Sequence, residues 1–175
     1  MAATLSENGI NGDILIIKEL CKNLKFSKQK TNFYIDAAKH GVIAVESLLE
    51  YAISKVGKLE RSNKDGQDFK DGSDAKKAIV TARSEVVIKN LKNKKGILRI
   101  MIANPYAEGY PDVETLYYFR VPYSLYGGTG GLNITFKSFE FFSKVNDRKY
   151  RHGKVTKAWK IWNKYRVYSF KELCE

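Results

Sequence analysis

The chain has 175 residues, 43% of them apolar, and carries 31 basic against 19 acidic side chains, a formal charge of +12. That length fits one domain with its own packed core, and no run of about 18 apolar residues is present to cross a bilayer. A positive excess of this size selects a polyanionic partner, nucleic acid above all, because phosphate neutralisation releases condensed counterions. The first residues carry neither a basic nor an apolar leader region, so no secretory signal is expected. Cys21 and Cys174 form no CxxC pair. Their separation fits a reduced cytoplasmic protein better than a disulfide scaffold or a zinc site. No lipidation signal accompanies the charge, so no membrane partner is expected.

In chain order, residues 13–25 read as a helix, with Asp13 as its N-cap and Leu15, Ile16, Leu20 and Leu24 as its apolar stripe. Residues 32–35 read as a short extended piece. Residues 36–56 read as a second, longer helix, because Ala38, Val42, Val45, Leu49, Ala52, Ile53 and Val56 recur every three or four residues. Glu46 and Glu50 share one of its faces. Residues 57–74 are polar, and Asp65-Gly66 and Asp71-Gly72 mark tight turns of a hairpin. Residues 75–83 read as a strand with Ala78, Val80 and Ala82 on one side. Residues 84–91 fit strand or helix, and 92–96 form a basic turn. Ile97–Ala103 is the most apolar strand and belongs mid-sheet, with 116–121 as its partner. A glycine-rich turn at 127–131 precedes a strand within 134–142. The order predicts an α/β (or α+β) fold of one domain, residues 1–175, with helices packed on a mixed β-sheet.

The segment richest in chemistry is Gln67–Val80. Asp68, Asp71 and Asp74 lie within seven residues, and Lys76 follows Asp74 by two. Side chains two apart point to the same side of a strand, so Asp74 and Lys76 face one way. Carboxylates from neighbouring segments can hold Mg²⁺ through hard oxygen ligands. The ion can lower the pKa of a bound water, and a lysine beside it can orient that water or neutralise the developing charge.

An acid, a short gap and then acid-x-lysine on a strand resembles the PD-(D/E)xK pattern of restriction-endonuclease-like nucleases. The resemblance spans roughly residues 36–121. It matches Glu46 or Glu50 to the family's helical acid, Asp68 or Asp71 to the first aspartate, Asp74 to the second acid and Lys76 to the lysine. Ile97–Ala103 matches the strand that follows. It departs from the pattern in lacking a proline before the first aspartate. The gap between the acids is also short, which leaves Asp65, Asp68 and Asp71 as alternatives for the first position. The resemblance implies a Mg²⁺-dependent endonuclease acting on double-stranded DNA as a homodimer, similar to small type II restriction enzymes. Asp68, Asp71, Asp74 and Lys76 would be its catalytic residues, and Glu46, Glu50, Asp68, Asp71 and Asp74 its metal ligands.

Positive charge is densest at 144–171, with ten basic residues against one acid, Asp147. Lys77, Arg148, Lys149, Arg151, Lys154, Lys157 and Arg166 are the expected nucleic-acid contacts. Lysines there position the phosphate backbone, and Arg148, Arg151 and Arg166 are better suited to reading base edges. Trp159 and Trp162, at helical spacing, are expected to pack rather than stack on bases. Gly127–Gly131 is neither GxGxxG nor followed by Lys-Ser or Lys-Thr, so it reads as a turn. His40 and His152 lack any local nucleophile signature. The rival expectation is a non-catalytic nucleic-acid-binding protein whose acid-rich stretch is only a solvated hairpin.

Overall fold

The computed structural model describes residues 5–64, 66–81, 85–89, 96–108, 114–123, 133–137 and 162–175. Helices α1 (Leu5–Asn23), α2 (Lys28–Lys39) and α3 (Val45–Gly57) come first. Strands β1 (Asp74–Ile79), β2 (Glu85–Lys89), β3 (Ile97–Ala103), β4 (Leu116–Pro122), β5 (Asn133–Lys137) and β6 (Arg166–Val167) follow, then a short helix α4 (Phe170–Cys174). The fold is α+β.

Two expectations about the helices are corrected. Helix α1 starts well before Asp13, because Gly9 and Gly12 are inside it rather than at its boundary. A Cβ on Gly12 would stand 2.5 Å from Ile79 Cδ1, so the glycine lets α1 close on β1. Asp13 is therefore mid-helix, not a cap. The expected extended piece at 32–35 is instead part of α2, which Ser27 initiates by accepting a hydrogen bond from the Lys30 N–H at 3.2 Å.

The single long helix over 36–56 is two. Gly41 (φ 69°) adopts the left-handed conformation, its N–H donates to the Ala38 carbonyl, and the Val42 N–H donates to that of Ala37 at 2.8 Å. That pair of bonds is a Schellman motif, which ends α2. The apolar period runs straight through the break, and Val42, placed on the core stripe by that period, is 73% exposed. The same motif closes α1, with Lys25 (φ 58°) in the left-handed position and the Phe26 N–H donating to the Cys21 carbonyl.

Strands β1, β3, β4 and β6 form a mixed sheet in that order, with β1 parallel to β3 and the other pairs antiparallel. Strand β3 is central, as its unbroken apolar run predicts, and β1 is an edge. Arg99, Met101 and Ala103 face the helices. There Ile16, Ile17, Leu20, Leu49, Ile53 and Phe170 complete one core. Leu98, Ile100 and Ile102 face the other way, into a second core with Phe119, Val121 and Trp162. Strand β2, ambiguous by periodicity, pairs antiparallel with β5 and adds Val86 and Ile88 to that second core. Val80 joins the two sheets through a bridge to Val86. Ala78 and Val80 share the predicted side of β1, and Ala82 lies outside the described residues. Trp162 is buried, as its packing role requires. Cys21 and Cys174 are free and buried, and no described helix is long and apolar enough to cross a membrane.

Candidate functional site

The predicted hairpin supplies the first component. The Ser62 N–H donates to the Asp68 carbonyl at 2.9 Å and the Lys70 N–H to the Glu60 carbonyl at 2.9 Å, so residues 60–62 run against 68–70. Phe69, with no exposed surface, pins this hairpin into the helix-side core. Gly66 (φ 84°) and Gly72 (φ 87°) take the positive φ that the two Asp-Gly steps imply.

The hairpin lays Asp68 against the start of β1. The Asp68 N–H donates to Asp74 Oδ1 at 2.8 Å, and the Ala75 N–H donates to Asp68 Oδ2 at 2.8 Å. Asp74 thus grips the backbone of Asp68, and Asp68 that of Ala75, which closes the short spacing between them. Asp74 is 5% exposed, and its second oxygen accepts a hydrogen bond from the Tyr123 hydroxyl at 2.5 Å. Glu50, from α3, is within hydrogen-bonding reach of the Asp68 carboxyl. The Arg61 guanidinium holds the outer oxygen of Glu50 at 3.0 Å. Lys76 lies close enough to act electrostatically on both aspartates. Four of the expected site residues, Glu50, Asp68, Asp74 and Lys76, therefore converge at the edge strand from three segments.

Crowding raises the carboxyl pKa values. Burial, reinforced by the neighbouring Glu50, pushes Asp68 up to about 6 against the opposing Ala75 N–H and Lys76 charge. Burial also raises Asp74, with the Tyr123 and Asp68 hydrogen bonds opposing it. Among the described residues, no set of three or more His, Cys, Asp and Glu side chains is placed to hold a metal ion. The donor chemistry is nevertheless of the kind a hard divalent cation takes: the Glu50 and Asp68 carboxyl groups touch, and Asp74 lies close enough to act electrostatically on Asp68.

The remaining expected residues go elsewhere. Glu46 faces Asp13, whose carboxylate accepts a hydrogen bond from Lys77 Nζ at 2.5 Å on the helix side of β1. Burial raises the Asp13 pKa, Lys77 opposes this and Glu46 adds to it. Asp71 turns back on Ser73 and on Arg99, whose Nη2 lies 3.3 Å away. Burial disfavours the charged form of Asp71, but the Ser73 bonds and the Arg99 and Arg120 charges outweigh it and lower its pKa. Arg166 pairs with Glu114 and lies over the rings of Tyr117 and Tyr168. His40 is exposed, with Nδ1 2.9 Å from the Asp36 carbonyl. Asp65, Arg148, Lys149, Arg151, His152, Lys154, Lys157, Trp159 and the turn at 127–131 lie outside the described residues.

Sequence reasoning missed Arg61, Tyr123 and Arg99. Tyr123 reaches Asp74 only because β4 runs antiparallel to β3, and no local pattern announces it. Arg99 is 1% exposed in an otherwise apolar strand. A charge in the middle of Ile97–Ala103 was the available signal. Comparison with protein-family models, curated proteins and solved structures returns no match.

Proposed function

We propose that the chain is a Mg²⁺-dependent endonuclease that hydrolyses phosphodiester bonds in double-stranded DNA. We also propose that the site belongs to a restriction-endonuclease-like, PD-(D/E)xK core, as in type II restriction enzymes, and that two copies act together to cut both strands. The observation that carries this reading is the meeting of Glu50, Asp68, Asp74 and Lys76 at one sheet edge. The resemblance names those residue types, and the order helix acid, aspartate, acid-x-lysine, apolar strand is kept. The +12 charge supports a polyanionic substrate.

Glu50, Asp68 and Asp74 would hold the ion. When bound, Mg²⁺ supplies Lewis-acid stabilisation of a phosphoryl oxygen and a water of lowered pKa. Tyr123 and the Asp68 N–H keep the Asp74 carboxylate from rotating, and Ala75 does the same for Asp68. Such fixed donors and acceptors spare reorganisation during reaction. Lys76 sets a positive charge beside both aspartates, where it orients the attacking water and offsets charge on the phosphoryl group. Arg61 holds Glu50 over Asp68.

The test is incubation of supercoiled plasmid DNA of varied sequence with the protein, with and without Mg²⁺. Nicked or linear product that depends on Mg²⁺ is expected. Intact plasmid under every condition, with tight metal-independent DNA binding, would instead establish the non-catalytic alternative.

A further inference from the structure

We propose that the corner between α1 and α2, together with the adjoining groove between α2 and α3, is a docking strip for unpaired nucleotides of a nucleic-acid strand. This rests on the nucleic-acid reading above and adds to it a surface and a substrate feature.

The strip begins with stacked rings. Phe26 and Tyr34 lie 5.7 Å apart at 18°, and Phe33 meets Tyr34 edge-on at 5.9 Å. Phe33 is 68% exposed, and Val42 and Tyr51 are exposed on the same helical layer. Tyr34 continues into a groove of about 400 Å³, lined also by Val42, Ile43, Ser47 and Tyr51, a volume in the range of small-ligand sites.

Cations stand at both ends. Lys30 Nζ lies 3.9 Å from the Phe26 ring centroid, and Lys55 Nζ lies 5.7 Å from that of Tyr51. Lys25, Lys28 and Lys39 are exposed around the same helix, and α2 has no acid in its first turn. Among the described residues, none of Lys25, Lys28, Lys30 and Lys39 forms an ion pair within the chain. Asp36 is the exposed acid of α2, and it lies 3.7 Å from His40.

The exposed rings of Phe33 and Tyr51, backed by the partly buried Phe26 and Tyr34 and set among unneutralised lysines, suit one occupant. Bases stack on aromatic faces while phosphates meet the ammonium groups, and the stacking tolerates any base. A duplex hides its base faces, so the rings favour unpaired nucleotides. An apolar peptide would fill the groove but leave the lysines unanswered.

The test is anisotropy of a labelled single-stranded oligodeoxynucleotide and of a blunt duplex, titrated with the full-length protein in EDTA so that cutting plays no part. Phe33→Ala should weaken single-strand binding about tenfold and duplex binding less. Lys28→Ala with Lys30→Ala should flatten the slope of log affinity against log salt by about 1.4 for two lost phosphate contacts on a single strand. All three positions are exposed, and unchanged circular dichroism would show that the fold survives. If the wild type binds and both variants match it in affinity and salt slope, the docking strip is overturned while the nuclease reading stands. Equal weakening of duplex and single strand by Phe33→Ala overturns the preference for unpaired nucleotides. If the wild type binds neither oligonucleotide, the nucleic-acid reading itself fails.

Discussion

Strand β1 carries two adjacent lysines into two different electrostatic settings. Lys77 points to the helix side, where Asp13 receives it at 2.5 Å in a half-buried pair. Lys76 points the other way, and Asp68, Asp74 and Glu50 gather at its edge of the sheet. In the first setting one lysine meets one direct carboxylate partner. In the second, three carboxyl groups share one lysine and one arginine, and Asp68 is pushed up to about 6. That pair is closed by a direct hydrogen bond, although burial and Glu46 still raise the Asp13 pKa. At the Lys76 edge, burial and crowding of like charge without full compensation cost stability, and a divalent cation is the simplest group to relieve them. Neighbours in sequence thus serve packing on one side and, in the proposed reading, chemistry on the other.

The sharpest way to break this comparison is to remove each lysine in turn. Lys76→Ala should lower the rate of plasmid cleavage by about 10²–10³-fold, the usual loss when one preorganised stabilising group is deleted. Lys77→Ala should register instead as lost stability of about 1–3 kcal/mol in urea denaturation, because Asp13 keeps its burial and loses its charged donor. If the two variants lose similar amounts of both activity and stability, the two faces do not differ in role.

A second probe uses pH. Folded Asp68 holds its proton up to about pH 6, whereas an unfolded aspartate releases it near 3.8. The folded state therefore binds more protons in between. The resulting stabilisation is fully present below 3.8 and is lost as pH rises through 6. Asp68→Asn should remove that decline. Relative to wild type it should gain on the order of 1 kcal/mol at pH 7.5, after allowance for solvent screening. That corresponds to roughly 2–4 °C in melting temperature, with no gain at pH 4. Identical melting curves at both pH values would remove crowding from the account.

The smallest expected effect is that of Tyr123→Phe. Losing the hydroxyl on Asp74 should cost about 1 kcal/mol of stability. It should raise the Mg²⁺ concentration needed for half-maximal cleavage several-fold while leaving the saturated rate closer to wild type. An unaltered Mg²⁺ requirement would mean that the hydroxyl does not position the carboxylate.

Much of this is legible in the sequence. The central place of Ile97–Ala103 follows from its unbroken apolar run, and the shared face of Asp74 and Lys76 follows from strand alternation. The hairpin follows from its Asp-Gly steps. What period alone could not show is where a helix stops. The stripe from Ala38 to Val56 crosses Gly41, whose left-handed conformation ends α2 through two backbone bonds. Spacing alone also left Glu46 beside Glu50, and Asp71 beside Asp68. Separating them took the third dimension: Glu46 turns to Asp13, and Asp71 is captured by Ser73 and Arg99. Tyr123 was invisible because its contact joins residues 49 apart in the chain.

The decisive property is whether the acids at the edge of β1 bind a divalent ion. Calorimetric titration with Mn²⁺ should reveal one site in the wild type, abolished in Asp68→Asn and in Asp74→Asn and retained in Lys77→Ala. No binding heat in the wild type, or an unchanged isotherm in both aspartate variants, would contradict it.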